Sequence, residues 1–176
     1  MGMDDELLDI IDEQNNVVGQ ELKSIVHVRG LRHRVSAVLL RRDDGKYFVP
    51  TAAAQKVEAG GLYHSSAGHI PTGETYRAGA LRELKEETGV TAHEEDLECL
   101  GAYWFEKDYP TRKERERFEI YRVRYTPEMG EIVLNEENVK PQWFGEEELK
   151  AIYTNEPQRL SANLKLTLKR IFVLGP

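Results

Sequence analysis

The sequence predicts an α+β protein in which a mixed sheet is sandwiched between helices, an α/β/α arrangement. Three observations carry this. Apolar, β-branched stretches come first, one strongly patterned helix interrupts them, further strands follow, and helical spacing closes the chain. No repeat, low-complexity tract or linker divides the chain, and 176 residues suit one domain better than two. The interrupting helix is amphipathic, and its apolar face needs a sheet to pack against. Residues 1–176 are therefore read as a single domain, with the N-terminal strands of 1–30 as an extension of it.

Leu7–Gln20 (LLDIIDEQNNVVGQ) reads as two short strands about a turn at Glu13-Gln14-Asn15-Asn16. Glu21–Arg29 has helical spacing and ends at Gly30. Arg34–Arg41 (RVSAVLLR) is apolar and β-branched enough for a buried strand. Asp43-Asp44-Gly45 signals a hairpin turn, and Lys46–Thr51 is the returning strand. Ala52–Gly61 reads as a loop and Leu62–Ser66 as a short strand. A turn rich in Gly and Pro then leads into the central helix. Ala78, Leu81, Leu84 and Thr88 form its apolar face and Gly89 its C-terminal cap. Leu97–Asp108 and Glu116–Tyr125 alternate as two strands of a hairpin, with Thr111–Arg117 (TRKERER) as an exposed tip. Thr126–Gly130 is a turn, Val139–Phe144 a short strand, Glu146–Tyr153 a helix and Ser161–Phe172 a final amphipathic helix. Tyr103, Trp104 and Phe105 alternate on their strand, so one face of it is core. Trp143-Phe144 reads as core packing and Cys99 as a small buried hydrophobe.

Composition excludes several function classes. The longest apolar run, near Val35–Leu40, is far too short to span a bilayer. The acidic start MGMDDELL lacks the basic and apolar regions of a signal peptide. One cysteine rules out an internal disulfide and suits a reducing compartment, so a cytoplasmic location is expected. A net charge of −7 argues against non-specific nucleic-acid binding, which needs clustered Lys and Arg. A phosphorylated ligand would instead be held locally, by a metal and a few basic side chains.

The chemistry concentrates in Gly68–Val90, GHIPTGETYRAGALRELKEETGV. On a helix, Glu83, Glu86 and Glu87 stand at i, i+3 and i+4 and share one narrow face. Like charges at that spacing repel by a few tenths of a kcal/mol. A solvated acidic face tolerates this; a hard divalent cation removes it. Mg²⁺ prefers oxygen ligands and commonly sits between carboxylates and a substrate phosphate. Arg82 lies within reach of the same carboxylates and can clamp the preceding loop through Glu74 by a bidentate pair.

The spacing Gly68, five residues, Glu74, seven residues, Arg82-Glu83-Leu84, one residue, Glu86-Glu87, one residue, Gly89-Val90 resembles the Nudix box at every specified position. Seven fixed residues and two apolar positions would coincide by chance in roughly one start in a billion. The resemblance implies a Nudix fold and a hydrolase that cleaves a nucleoside diphosphate linked to a further group X. It implies Mg²⁺ or Mn²⁺ held by Glu83 and Glu87, with Glu86 sharing the ion or a second one and the Gly68 carbonyl completing the inner shell. Glu86 is the candidate general base, Glu116 the alternative, and Arg82 an orienting residue paired with Glu74. Lys56, in the loop before the box, is a candidate phosphate ligand beside His69. Its other reading is a solvated loop lysine. VKPQWFGEEEL is similar to the family's closing strand and helix, so the resemblance covers most of the chain.

The N-terminal half adds a second likeness. IIDEQNNVVGQELKSIVH, LRHRVSAVLL and the segment around Lys56 resemble the isopentenyl-diphosphate isomerase branch and its hydrolase relatives. In that branch a cysteine directly before the box glycine performs the isomerisation; here that residue is Ala67. The branch's paired diphosphate-gripping arginines are replaced near Thr51-Ala52, and the box is intact where the isomerase box is degenerate. These departures favour a pyrophosphohydrolase on an isomerase-like scaffold. The branch also holds a metal through residues matching His27, His33, His69, Glu114 and Glu116, so a second metal site is one reading of them. The other is that histidines within VHVR and LRHR are solvated or capping residues. Competing functions are an isoprenoid diphosphate isomerase or hydrolase, and a non-catalytic nucleotide sensor. The family likeness also suggests a homodimer.

Overall fold

The computed structural model of the chain describes residues 5–174 and begins with a hairpin of β1 (Leu7–Ile11) and β2 (Val17–Leu22). The Asp12 carboxylate accepts the backbone N–H groups of Gln14 and Asn16, both at 2.9 Å, and so builds the turn. Helix α1 (Lys23–Arg29) follows and stops at Gly30, which caps it at a left-handed φ of 66°.

Strand β3 (His33–Arg41) organises the rest. It meets β4 (Tyr47–Phe48) in a tight hairpin, while β5 (Thr51–Ala52) leaves the main sheet. Strand β6 (Ser66–His69) pairs antiparallel with β3, setting Val35 opposite His69 and Ser36 opposite Gly68. The central helix α2 (Tyr76–Thr88) then leads to β7 (Glu98–Asp108) and β8 (Lys113–Arg124), which pair antiparallel. Strand β8 runs parallel to β3, with His33 opposite Glu116. Strand β9 (Asn138–Val139) pairs with β5, and β10 (Trp143–Phe144) with β4. Helices α3 (Glu146–Asn155) and α4 (Ala162–Leu168) complete the order. The main sheet is β10-β4-β3-β8-β7 with β6 on β3, and its mixture of parallel and antiparallel pairs is the arrangement expected.

Alternation along β3 explains the unbroken apolar run from Ala37 to Leu40. Val38 and Leu40 point to the face covered by Ala80 and Leu84 of α2. Leu39 points the other way, into a cluster with Leu149 and Ile152 of α3 and Leu164 and Leu168 of α4. A strand covered on both faces has no need of polar positions.

Several expected boundaries move, each for a local reason. The return strand Lys46–Thr51 divides at Pro50, which has no N–H to donate to a ladder. Val139–Phe144 divides at Lys140, whose φ is 52°, and at Pro141. The strand placed at Leu62–Ser66 starts at Ser66 and runs through Gly68 to His69. The final helix ends at Leu168 and relaxes into wider π-type turns over Lys169–Leu174. Cys99 is exposed rather than buried. Ala78 and Leu81 are only half-buried, and the buried stripe of α2 is Gly79, Ala80, Leu84, Glu87 and Thr88.

Candidate active site

Helix α2 is held at both ends. The Thr75 hydroxyl accepts the Ala78 N–H at 3.1 Å, and Gly89 caps the C-terminus at a φ of 74°. Its three glutamates lie on a gradient from water to interior. The side chain of Glu86 is 57% exposed, that of Glu83 15% and that of Glu87 4%. A single solvated acidic face therefore does not describe them. Burial pushes the Glu83 carboxyl up and raises Glu87 further, to about 8; Lys56 opposes the Glu87 shift, and Glu137 and Glu83 add to it.

Gly68 brings β6 against this helix. A Cβ at Gly68 would stand 2.0 Å from the Glu83 carboxyl carbon, so any larger residue would displace that carboxylate. Arg82 ties loop, helix and strand together. Its Nε and Nη2 donate to the two oxygens of Glu74 at 3.1 and 3.0 Å. Its Nη1 donates to Glu83 at 2.7 Å and to Glu86 at 3.3 Å, and Nη2 also donates to the His69 carbonyl at 3.0 Å. Lys56 stands at the cleft wall, with Nζ 3.0 Å from Glu137 and 4.0 Å from Glu87.

A second group of titratable side chains lies beside the first. His27 and His33 are buried, not solvated, and each Nδ1 faces a backbone carbonyl: Lys23 at 2.8 Å and Leu31 at 2.9 Å. A carbonyl only accepts, so each Nδ1 carries hydrogen, and in the neutral ring Nε2 is left as a lone pair. Ligand atoms of His27, His33, His69 and Glu116 all lie within 4.8 Å of one another. His27 Nε2 and His69 Nε2 face each other at 3.2 Å. Glu114 Oε2 is 3.3 Å from His27 Nε2. His33 Nε2 is buried with no hydrogen-bond partner among the described residues. Burial lowers His33 and drives His69 well below the usual imidazole range. Burial and the neighbouring Glu114 raise Glu116 well above the usual carboxylate range. Converging ligand atoms, with the charge of His33, His69 and Glu116 suppressed and that of Glu114 favoured beside His27 and Arg112, make a group that could hold a cation.

Both groups open on one cleft of about 650 Å³, to which Glu83, Glu86, Glu87, Gly68, His69, Glu114 and Glu116 all contribute. Gly68 and His69 are neighbours on β6, so one short strand serves both. Lys23, Tyr63, Tyr109 and Arg112 also line the cleft and went unnoticed in the sequence. Thr111–Arg117 is not simply an exposed tip: from Lys113 it is strand, with Glu114 and Glu116 turned inward. The signal was there, because the inward alternation of Phe118 and Ile120 extends back to both glutamates.

The sequence model described as the NUDIX domain matches residues 31–164. The chain belongs to the Nudix family. An uncharacterized Nudix hydrolase of Nostoc is 33% identical over 133 residues, 74% of this chain and 78% of its own length. An uncharacterized Nudix hydrolase of Streptomyces coelicolor is 40% identical over 92 residues, 52% of this chain; the match spans about half, 51%, of that relative's length. A protein named isopentenyl-diphosphate Delta-isomerase 2, of Photorhabdus laumondii, is 27% identical over 87% of this chain and 85% of its own. Among solved structures, one from Deinococcus radiodurans superposes with a TM-score of 0.73 at 21% identity, covering 95% of this Nudix chain and 99% of the other. That likeness confirms the fold. Among the described residues, no helix is long and apolar enough to cross a membrane.

Proposed function

We propose that this Nudix protein is a pyrophosphohydrolase that cleaves a diphosphate linkage in a nucleoside diphosphate-X substrate by attack of water at phosphorus. The observation that carries the reading is the Glu83 carboxylate lying against Gly68, where only a glycine leaves room, beside the buried Glu87. A divalent cation, Mg²⁺ or Mn²⁺, held by Glu83, Glu87 and the Gly68 carbonyl would neutralise the diphosphate and lower the pKa of the attacking water. Glu86, exposed and lightly held by Arg82, accepts the proton of that water as general base. Arg82 keeps Glu83 and Glu86 in place through its fork to Glu74 and is not itself a reacting group. Lys56 exchanges Glu137 for a phosphate oxygen when substrate enters. Water oxygen bonds to phosphorus, the bridging P–O bond breaks, and two phosphate monoesters leave, or one with inorganic phosphate.

The same reading gives His27, His33, His69, Glu114 and Glu116 a second, nitrogen-preferring ion of the transition series. Glu116, enclosed by these histidines, belongs to that set in preference to serving as the base. This cluster and the isomerase-named relative also favour a second reading, an isoprenoid diphosphate hydrolase. Ala67 in place of a cysteine leaves no thiol for isomerisation there.

The test is product release at saturating Mg²⁺ from nucleoside di- and triphosphates, ADP-ribose, dinucleotides, NADH, coenzyme A and isopentenyl diphosphate. Glu83→Gln and Glu86→Gln serve as controls. Turnover of one nucleotide class, reduced about 100-fold or more in both variants, is expected. Full turnover in both variants would overturn the mechanism, and turnover of the isoprenoid alone would establish the second reading.

A further inference from the structure

We propose that Asn138 is a positioning residue that aims the Glu87 carboxylate into the cleft, an inference that rests on Glu87 being a cation ligand. Asn138 is 51 positions from Glu87 and its side chain reaches the same buried pocket. Its Nδ2 donates to Glu87 Oε2 at 3.1 Å. The other oxygen, Oε1, is the one that faces Lys56, at 4.0 Å. Holding one carboxylate oxygen from behind fixes the plane of the group and presents the second oxygen forward. This is how outer hydrogen bonds orient ligands around a cation.

The backbone around Asn138 is built to make that contact repeatable. The segment from Val133 to Asn135 runs along the end of α2, where Val133 N–H donates to the Thr88 carbonyl at 2.8 Å and Asn135 N–H to the Glu87 carbonyl at 3.2 Å. Those carbonyls are unpaired in the helix itself. Asn138 then pairs with Ala52 in the β5–β9 ladder, and the Glu137 carbonyl accepts the Ala53 N–H at 3.0 Å. The same stretch parks Lys56 on the Glu137 carboxylate. One short segment thus sets the poses of Glu87 and of Lys56.

Packing alone does not explain an asparagine here. Asn138 is 2% exposed, and its Oδ1 has no partner among the described residues. A leucine would fill similar space without burying an orphaned acceptor. What leucine lacks is the donor to Glu87.

Binding of Mn²⁺ to the substrate-free full chain, followed by electron paramagnetic resonance, tests this with Asn138→Leu and Glu87→Gln beside the unmodified protein. Each is also melted without metal. Asn138→Leu is expected to weaken Mn²⁺ binding about 10- to 100-fold while leaving the metal-free melting temperature unchanged or higher. Unchanged affinity in Asn138→Leu, with affinity lost in Glu87→Gln, overturns the positioning role and leaves the ligand role of Glu87 standing. Unchanged affinity in Glu87→Gln overturns the ligand role and the inference with it. Should Asn138→Leu fail to fold, Asn138→Ala is read in the same way: lost affinity supports the role and retained affinity overturns it.

Discussion

Gly68 shows what a single residue decides. Its missing side chain is occupied by the Glu83 carboxylate, so Gly68→Ala must move that group by an ångström or more. Displacements of that size cost about 100-fold in turnover. A kcat measurement on Gly68→Ala should show such a loss with the circular dichroism spectrum retained; normal kcat would sink the assignment. His64 makes a different point. It is buried, Nε2 sits 2.8 Å from the Thr167 hydroxyl, and Nδ1 has no partner among the described residues. Burial, with a smaller push from Lys56, lowers it to about 3. Between that value and the ordinary 6.5 the unfolded chain takes up a proton that the folded protein refuses. Stability from this group is therefore present above about pH 6.5 and lost as pH falls toward 3. At pH 5 the loss amounts to about 2 kcal/mol relative to pH 7. Urea midpoints at the two pH values should differ less in His64→Gln than in the unmodified protein. His33 and His69 share the sign of the effect, so the variant should reduce the difference without abolishing it.

At the scale of elements, α2 has two jobs that pull apart. One face presents carboxylates and Arg82; the other must bury Ala80 and Leu84 against Val38, Leu40 and Tyr121. Leu84 is fully buried, so Leu84→Ala should cost about 2–5 kcal/mol by chemical denaturation. Turnover per folded molecule should fall as well, because the helix that carries Glu83 would lose its seat. A loss below 1 kcal/mol would show that the sheet does not position the helix. The hairpin of β7 and β8 has a comparable split. Tyr103 stacks on Phe118 at 5.2 Å in the core, while Glu114 and Glu116 from the same ladder face the histidines. Strand alternation, set by Phe118 and Ile120, makes the two glutamates point inward together.

Across the whole molecule, residues from α1, β3, β6, α2, β8 and the stretch before β10 meet at one cleft, where Glu87, Glu114 and Glu116 are buried. Cation binding should therefore stabilise the entire fold. Mg²⁺ or Mn²⁺ at about 100 times its dissociation constant contributes about 2.7 kcal/mol. For a chain of this size that corresponds to a rise of about 5–10 °C in melting temperature. With Mg²⁺, which prefers oxygen ligands, the rise should be reversed by a chelator and absent in Glu83→Gln. A melting curve indifferent to metal would contradict the coordination assigned to the box.

The box from Gly68 to Val90 was fully legible in the chain, because helix period and turn chemistry act over neighbours. So were the apolar run of β3, the alternation of β8, the C-terminal cap of α2 at Gly89 and the order of strands and helices that determines the fold class. Other features depended on partners far away in sequence. Glu87 became a buried carboxylate because Asn138 and the segment before it close over the end of α2. His27 and His33 left solvent because α1 and β3 bring them against His69 on β6 and Glu116 on β8. Local spacing says which residues can share a face. Only the packing of α1, β6, α2 and β8 around β3 determines which faces meet, since burial and charge suppression are properties of the enclosed space and not of any one segment.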